Sequence, residues 1–371
     1  MVSHLLSGSA GSDNLRPMPF DLTALLAEAE RRGASDLLLV PGALPMMRLH
    51  GDLTPSAIPG TALSSEDAGI MLMPFLPPAL AGGFRSGNAV DFCFEKQGIG
   101  RFRCNLHRER GGVAASVRLL PEKIPDFHML NLPAQVARLA EMHKGFVLVA
   151  GPTGAGKSTT LACLIDVINS RRAAHIVTIE DPVEYRHRHR RSVIEQMEIG
   201  ADSPSFADAL RHTLRQDPDV ILVGEMRDLE TMAIALTAAE TGHLVLSSLH
   251  TNDTTQALDR MLDVFPAHQQ GQVRQQLALS LTGVVAQHLI PTSDGSGRVP
   301  AVEILLATDA VRNLLRTSKT HLLYSTIAMS RTIGMQTLED SLATLCKRKK
   351  ISREDAMLRS THADELDSLL K

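Results

Sequence analysis

The rhythm of hydrophobic positions changes near residue 121. Before it, short apolar runs alternate with polar residues and are cut by Gly or Pro. "DLLLV", "PMMRLHGDL", "AVDFCFE", "GRFRCNLHRE" and "VAASVRLLP" each read as a strand. Two segments have helical spacing instead: "DLTALLAEAERRG", with Asp21 as N-cap and Gly33 as its stop, and "SSEDAGIMLMPFL". This predicts an α+β module over 19–120, preceded by a disordered Ser/Gly leader over 1–18. "PEKIPDFHMLNLP" (121–133) carries three prolines without a clear period and reads as a linker.

From 134 to 371 the strands lose the period of two. "GFVLVA", "HIVTIE", "DVILVGE" and "LVLSSLH" are nearly continuous apolar runs, alternating with the helical "KSTTLACLIDVINSRR" and "DLETMAIALTAAETG". Strands covered on both faces read this way, so a parallel sheet between helices is predicted. After about residue 255 helical patterns dominate, apart from a strand at "VPAVEILL". The expected fold class is α/β, in two domains.

Composition changes this picture little. A chain of 371 residues exceeds one typical core. Its 44% hydrophobic and 21% charged content is that of an ordinary globular protein. A net charge of −3 gives no general argument for nucleic acid as a partner. No run approaches the roughly 20 apolar residues of a spanning helix, and the N-terminus lacks the pattern of a secretory signal. The scattered Cys93, Cys104, Cys163 and Cys346 form no C-x-x-C pair, which argues against a zinc site or a disulfide framework. The cytoplasm is the expected compartment. The basic run "YRHRHRRS" (185–192) reads as a solvated turn or a partner-facing edge.

Chemistry enters with "GPTGAGKST": Gly151, Pro152, Thr153, Gly154, Ala155, Gly156, Lys157, Ser158 and Thr159. It lies between an apolar strand and a helix, the context a phosphate loop requires. The glycines let backbone N–H groups turn inward around phosphate oxygens, and the helix N-terminus adds positive charge. Lys157 is expected to reach the β- and γ-phosphates and the Ser158 hydroxyl to ligate Mg²⁺. Thr159 is a weaker contact, toward the α-phosphate. ATP with Mg²⁺ is the expected cofactor pair.

Two further strands end in acids. "HIVTIEDPVEY" places Glu180, Asp181 and Glu184 at one exit, and "DVILVGEMRD" places Glu225 at another. Ligands of open parallel sheets lie beyond the carboxyl ends of the strands. Hydrolysis needs one carboxylate to activate water and another on the Mg²⁺ side. Gly224 stands where an aspartate commonly precedes the terminal acid, so either this is not an ATP-hydrolysing strand or the missing carboxylate is supplied from elsewhere. A third strand, "LVLSSLHTND", ends in His250, either a structural group or a γ-phosphate sensor.

The ordered blocks "GPTGAGKST", "TIEDPVEY", "LRQDPDVILVGEMRD" and "ETGHLVLSSLHTND" resemble the secretion ATPase superfamily, and within it the type IV pilus retraction ATPases. "RFRCNLHRERGG", "LDRMLDVFPAHQQGQVRQQLALSLTGVVAQHLIP", "AVRNLLRT" and "GMQTLEDSL" extend the resemblance over most of the chain. It implies a PAS-like N-terminal domain, a RecA-like ATPase domain and a homohexameric ring. It assigns Glu184 as general base, Glu225 as the acid near Mg²⁺ (a metal ligand with Ser158) and His250 as the His-box residue. It also implies that Arg103 and Arg118 act on the phosphates, with Arg215 and Arg227 as further arginines. The expected partners are the pilus platform protein of the inner membrane, where the chain would sit peripherally, and a paralogous retraction ATPase. Thr317 departs from the signature, standing in "AVRNLLRT" where the family carries an acid. The other readings are a nucleotide-binding ring that regulates a separate motor and a RecA-like DNA translocase, for which stimulation by single-stranded DNA is the discriminating assay.

Overall fold

The computed structural model describes residues 18–49 and 51–371, so the leader lies outside the described residues except for Met18. Two compact units are present, the first ending at Leu120 and the second spanning Pro121–Lys371.

In the first unit, β1 (Asp36–Leu39), β2 (Met46–Leu49), β3 (Asp52–Pro55), β4 (Val90–Lys96), β5 (Gly100–Glu109) and β6 (Gly112–Leu120) form one antiparallel sheet. Their order is β3-β2-β1-β6-β5-β4. "PMMRLHGDL", expected as a single strand, is a hairpin. Gly51 takes φ +104°, a conformation open chiefly to glycine, and β2 and β3 pair with Leu49 opposite Asp52. The helix Leu22–Arg31 starts at Asp21, whose side chain accepts from the Thr23 N–H. Its Leu25, Leu26 and Ala29 share a core with Leu37, Phe102, Cys104 and Leu106. "SSEDAGIMLMPFL" yields the short helix Asp67–Leu72 followed by a 3-10 turn, Met73–Phe75. A further helix, Pro78–Arg85, carries Gly82 and Gly83 and gives no helical signal in sequence.

In the second unit, β7 (Gly145–Ala150), β8 (His175–Glu180), β9 (Val193–Glu198), β10 (Val220–Val223), β11 (Leu244–Leu249), β12 (Leu281–Pro291) and β13 (Arg298–Leu306) form a sheet ordered β13-β12-β7-β11-β10-β8-β9. All neighbours are parallel except β12 and β13. Every residue of β7, β10 and β11 is buried, which is why these strands read as unbroken apolar runs. Phe146, Leu148 and Ala150 enter one core, while Val147 and Val149 enter another on the opposite face. Strand β12 corrects the expectation that only one strand follows residue 255. It is buried between β7 and β13, and periodicity does not separate a buried strand from a buried helix. Strand β9, at the sheet edge, also goes unread because its sequence is mixed and follows the basic run.

The proline-rich stretch 121–133 lies in the second unit, where Phe127 joins the core of Val147, Val149 and Leu164. The helices Leu338–Lys347, Arg353–Arg359 and Ala363–Leu370 pack on β12 and β13 through Leu342, Ala356, Leu366, Ile290 and Val299. Because β7, β8, β10 and β11 run parallel, the segments that follow them leave from one edge of the sheet. Loop 151–159, the acids at 180–184 and 225, and His250 lie there.

Candidate functional site

The loop after β7 turns through Gly151, Gly154 and Gly156, with φ of +148°, +76° and +88°, positions where side chains are strained. Gly156 caps the helix Lys157–Arg171. Ser158 is exposed at the helix start, and Thr159 shares a 2.9 Å hydrogen bond with the Tyr185 hydroxyl. The Lys157 ammonium donates to Gly151 O at 2.8 Å and Pro152 O at 3.0 Å, and meets His250 Nδ1 at 3.4 Å. Burial pushes this lysine down from its usual range, while the negative charges of Glu225 and Glu184 pull the other way. The three side chains that sequence spreads over 68 positions therefore share one electrostatic environment.

Glu225, at the end of β10, receives a 2.8 Å hydrogen bond from Arg227 and lies 3.4 Å from His250 Nε2. Burial raises its carboxyl, but Arg227, His250 and Lys157 outweigh this and hold it below the ordinary carboxylate range. His250 Nδ1 faces Lys157 and Thr153, while Nε2 faces Glu225. The lysine approaches one ring nitrogen, and an N–H on the other points at the glutamate. His250 thus bridges phosphate loop and acid strand.

At the end of β8, Glu180 accepts from Thr178 Oγ1 at 2.8 Å and Gln196 Nε2 at 3.2 Å. Burial raises it to about 7, with nearby Glu184 adding to the rise. The Gln196 amide also donates to Tyr185 O at 2.8 Å and accepts from His187 N at 2.8 Å, so β9 shapes the loop that carries Glu184. Gly224, just past β10, fits tightly against the end of β8. A Cβ there would stand 3.2 Å from Ile179 O and 3.4 Å from Glu180 Cα, so an aspartate would need the neighbouring strand to yield.

Arg103 and Arg118 lie in the first unit, directly opposite each other on β5 and β6. Arg118 donates to Asp36 at 2.9 Å, and Arg103 lies 3.8 Å from Asp91. Side by side, two like charges destabilise a strand pair unless anions compensate, which the aspartates do. Arg215 is exposed after the helix Phe206–Thr213, and Arg227 is exposed beside Glu225.

Sequence reasoning assigned no chemistry to Tyr185, Gln287 or Glu303. Glu303 is 4% exposed and accepts from Thr254 N and Oγ1 at 2.8 and 2.6 Å, anchoring the segment after His250. The legible signal was a lone acid inside the apolar run "VPAVEILL".

The family model described as "Type II/IV secretion system protein" matches residues 126–354. The chain belongs to the type II/IV secretion system protein family. Among its members, the "Type IV pilus retractation ATPase PilT" of Pseudomonas aeruginosa is 43% identical over 336 residues, 91% of this chain and 97% of that one. The "Type IV pilus ATPase PilU" of the same organism is 39% identical over 347 residues, 94% of this chain and 90% of that one. The solved structure described as "Crystal Structure of the Pilus Retraction Motor PilT and Bound ADP" superposes with a TM-score of 0.86 at 43% identity, covering 94% of this chain and 99% of that one. As in other type II/IV secretion system proteins of this likeness, the fold is mixed α/β over nearly the whole length.

Proposed function

We propose that the chain is an ATP-hydrolysing motor that powers retraction of type IV pili. The observation that carries this is the convergence of Lys157, His250 and Glu225 at one edge of the sheet, with the charge of Glu184 acting on the same lysine. The similar PilT structure described with bound ADP supports the nucleotide reading.

In this reading the loop Gly151–Thr159 cradles the phosphates, and Lys157 leaves its loop carbonyls to neutralise their charge. Glu184 orients water and takes its proton. His250 links the phosphate end to Glu225. The exposed Ser158 hydroxyl and the ionised Glu225 are the hard oxygen donors that suit Mg²⁺, which commonly takes one or two protein oxygens beside phosphates and water. When bound, Mg²⁺ neutralises phosphate charge. Arg103 and Arg118 are assigned to phosphate charge as well, and Arg215 and Arg227 to supporting contacts.

The motor reading extends to a homohexamer in the cytoplasm, docked on the pilus platform protein at the inner membrane and working beside a paralogous ATPase. Among the described residues no helix is long and apolar enough to cross a membrane, so a membrane partner would supply the docking. Two measurements test the reading together: ATP turnover by the purified chain, and twitching in a deletion strain. Turnover with lost twitching and excess surface pili is expected. A chain without turnover, or a deletion strain that retracts normally, contradicts it.

A further inference from the structure

Strand β12 grips both loops that flank it. It runs parallel to β7, with Ala286 opposite Ala150, the last residue before the phosphate loop. One position on, Gln287 is 3% exposed and lies against that loop. Its Nε2 donates to Ala155 O at 2.7 Å, and its Oε1 accepts from Thr160 Oγ1 at 2.8 Å. The amide therefore has both polar ends occupied. The Ala155 carbonyl, which only accepts, sets the amide with Nε2 toward the loop, and the Thr160 hydroxyl donates to the Oε1 left on the other side.

Two of the loop's glycines are also explained by this strand. A Cβ on Gly156 would stand 2.8 Å from Gln287 Nε2, and one on Gly151 would stand 2.4 Å from Gln287 O. Side chains of consecutive strand residues point to opposite faces, and the next residue, His288, places Nε2 2.8 Å from Asn252 O, two residues after His250.

The geometry of a peptide gives this amide a chemical consequence. In a planar trans peptide the C=O of Ala155 and the N–H of Gly156 point opposite ways. A donor that holds the Ala155 carbonyl toward β12 aims the Gly156 N–H away from β12. Inward-turned N–H groups are what a phosphate loop offers its anion. Orienting that peptide before the ligand arrives removes a cost of binding.

We propose that Gln287 is a positioning residue for the nucleotide, acting through the Ala155–Gly156 peptide, with Thr160 anchoring its amide oxygen. This rests on the ATP-binding reading above. The test compares full-length wild type with Gln287→Met, which keeps volume but loses both bonds, Gln287→Glu, which when ionised cannot donate to Ala155 O, and Thr160→Val, which leaves Oε1 without its donor. Affinity for a fluorescent ADP analogue is measured by titration, alongside the melting temperature without nucleotide.

Gln287→Met and Gln287→Glu are expected to weaken ADP binding roughly tenfold or more, and Thr160→Val by a few-fold. Because the two residues act as one unit, the double variant Thr160→Val/Gln287→Met should bind no worse than Gln287→Met alone. A merely structural role would lower the melting temperature and leave the affinity of the folded protein unchanged. Wild-type affinity in folded Gln287→Met or Thr160→Val overturns the proposal, as does a fully additive double variant. Absence of binding in wild type itself would instead overturn the ATP-binding reading, and this inference with it.

Discussion

The ends of β8 and β10 each carry a half-buried glutamate, and the two titrate in opposite directions. Glu180, on β8, accepts from the Thr178 hydroxyl and the Gln196 amide, yet burial raises it to about 7. Glu225, two residues past the end of β10, is also pushed up by burial, but Arg227, His250 and Lys157 reverse the sign. Neighbouring strands of one sheet thus provide an acid that gives up its proton reluctantly and one that stays ionised. Cations decide the difference: the end of β10 faces the lysine of the phosphate loop, and the end of β8 faces another carboxylate, Glu184. Such divergent surroundings keep one carboxylate charged and another protonated at the same pH.

The largest effect should come from removing the charge on β10. Glu225→Gln is expected to retain nucleotide binding and lose about a thousandfold in turnover, measured as phosphate release. Turnover within tenfold of wild type would remove Glu225 from the proposed metal side.

A smaller effect separates the two strand ends by pH. The folded pKa of Glu180 lies above its unfolded value, so its contribution to stability is fully present below about pH 4.5 and is lost as pH rises through about 7. Glu180→Gln abolishes that loss. Its melting temperature relative to wild type should therefore climb between about pH 5 and about pH 8. A gap that stays flat over that range would show that Glu180 is not held protonated by its surroundings.

Smallest of all is the contribution of Arg227. Its side chain is 72% exposed, and solvent-screened pairs contribute at most about 1 kcal/mol. Arg227→Ala should change stability by no more than that in chemical denaturation and lower turnover only a few-fold. A collapse of turnover would mean that this arginine acts on the nucleotide itself.

The phosphate loop is legible in sequence because its requirement is local: glycines at left-handed positions between a strand and a helix. The strand-end acids are legible because parallel strands deliver their ends to one edge. Gln287 is not, since periodicity does not separate β12 from a buried helix. The hairpin of β2 and β3 is hidden because a single turn glycine interrupts one apolar–polar run. The opposite shifts of Glu180 and Glu225 depend on which side chains surround each carboxylate, and spacing along the chain does not carry that. Gly224 sharpens the point. In sequence it marks a missing acid; in the fold it is the position where β8 leaves little room for a side chain.

The central claim is that the site divides its carboxylate work, with Glu225 on the metal side and Glu184 on the water. Single-turnover hydrolysis by Glu184→Gln, with binding of the ATP measured on the same sample, tests it most directly. The account predicts wild-type ATP affinity and a hydrolysis rate lower by at least about a hundredfold. Hydrolysis within a few-fold of wild type at full occupancy would contradict it.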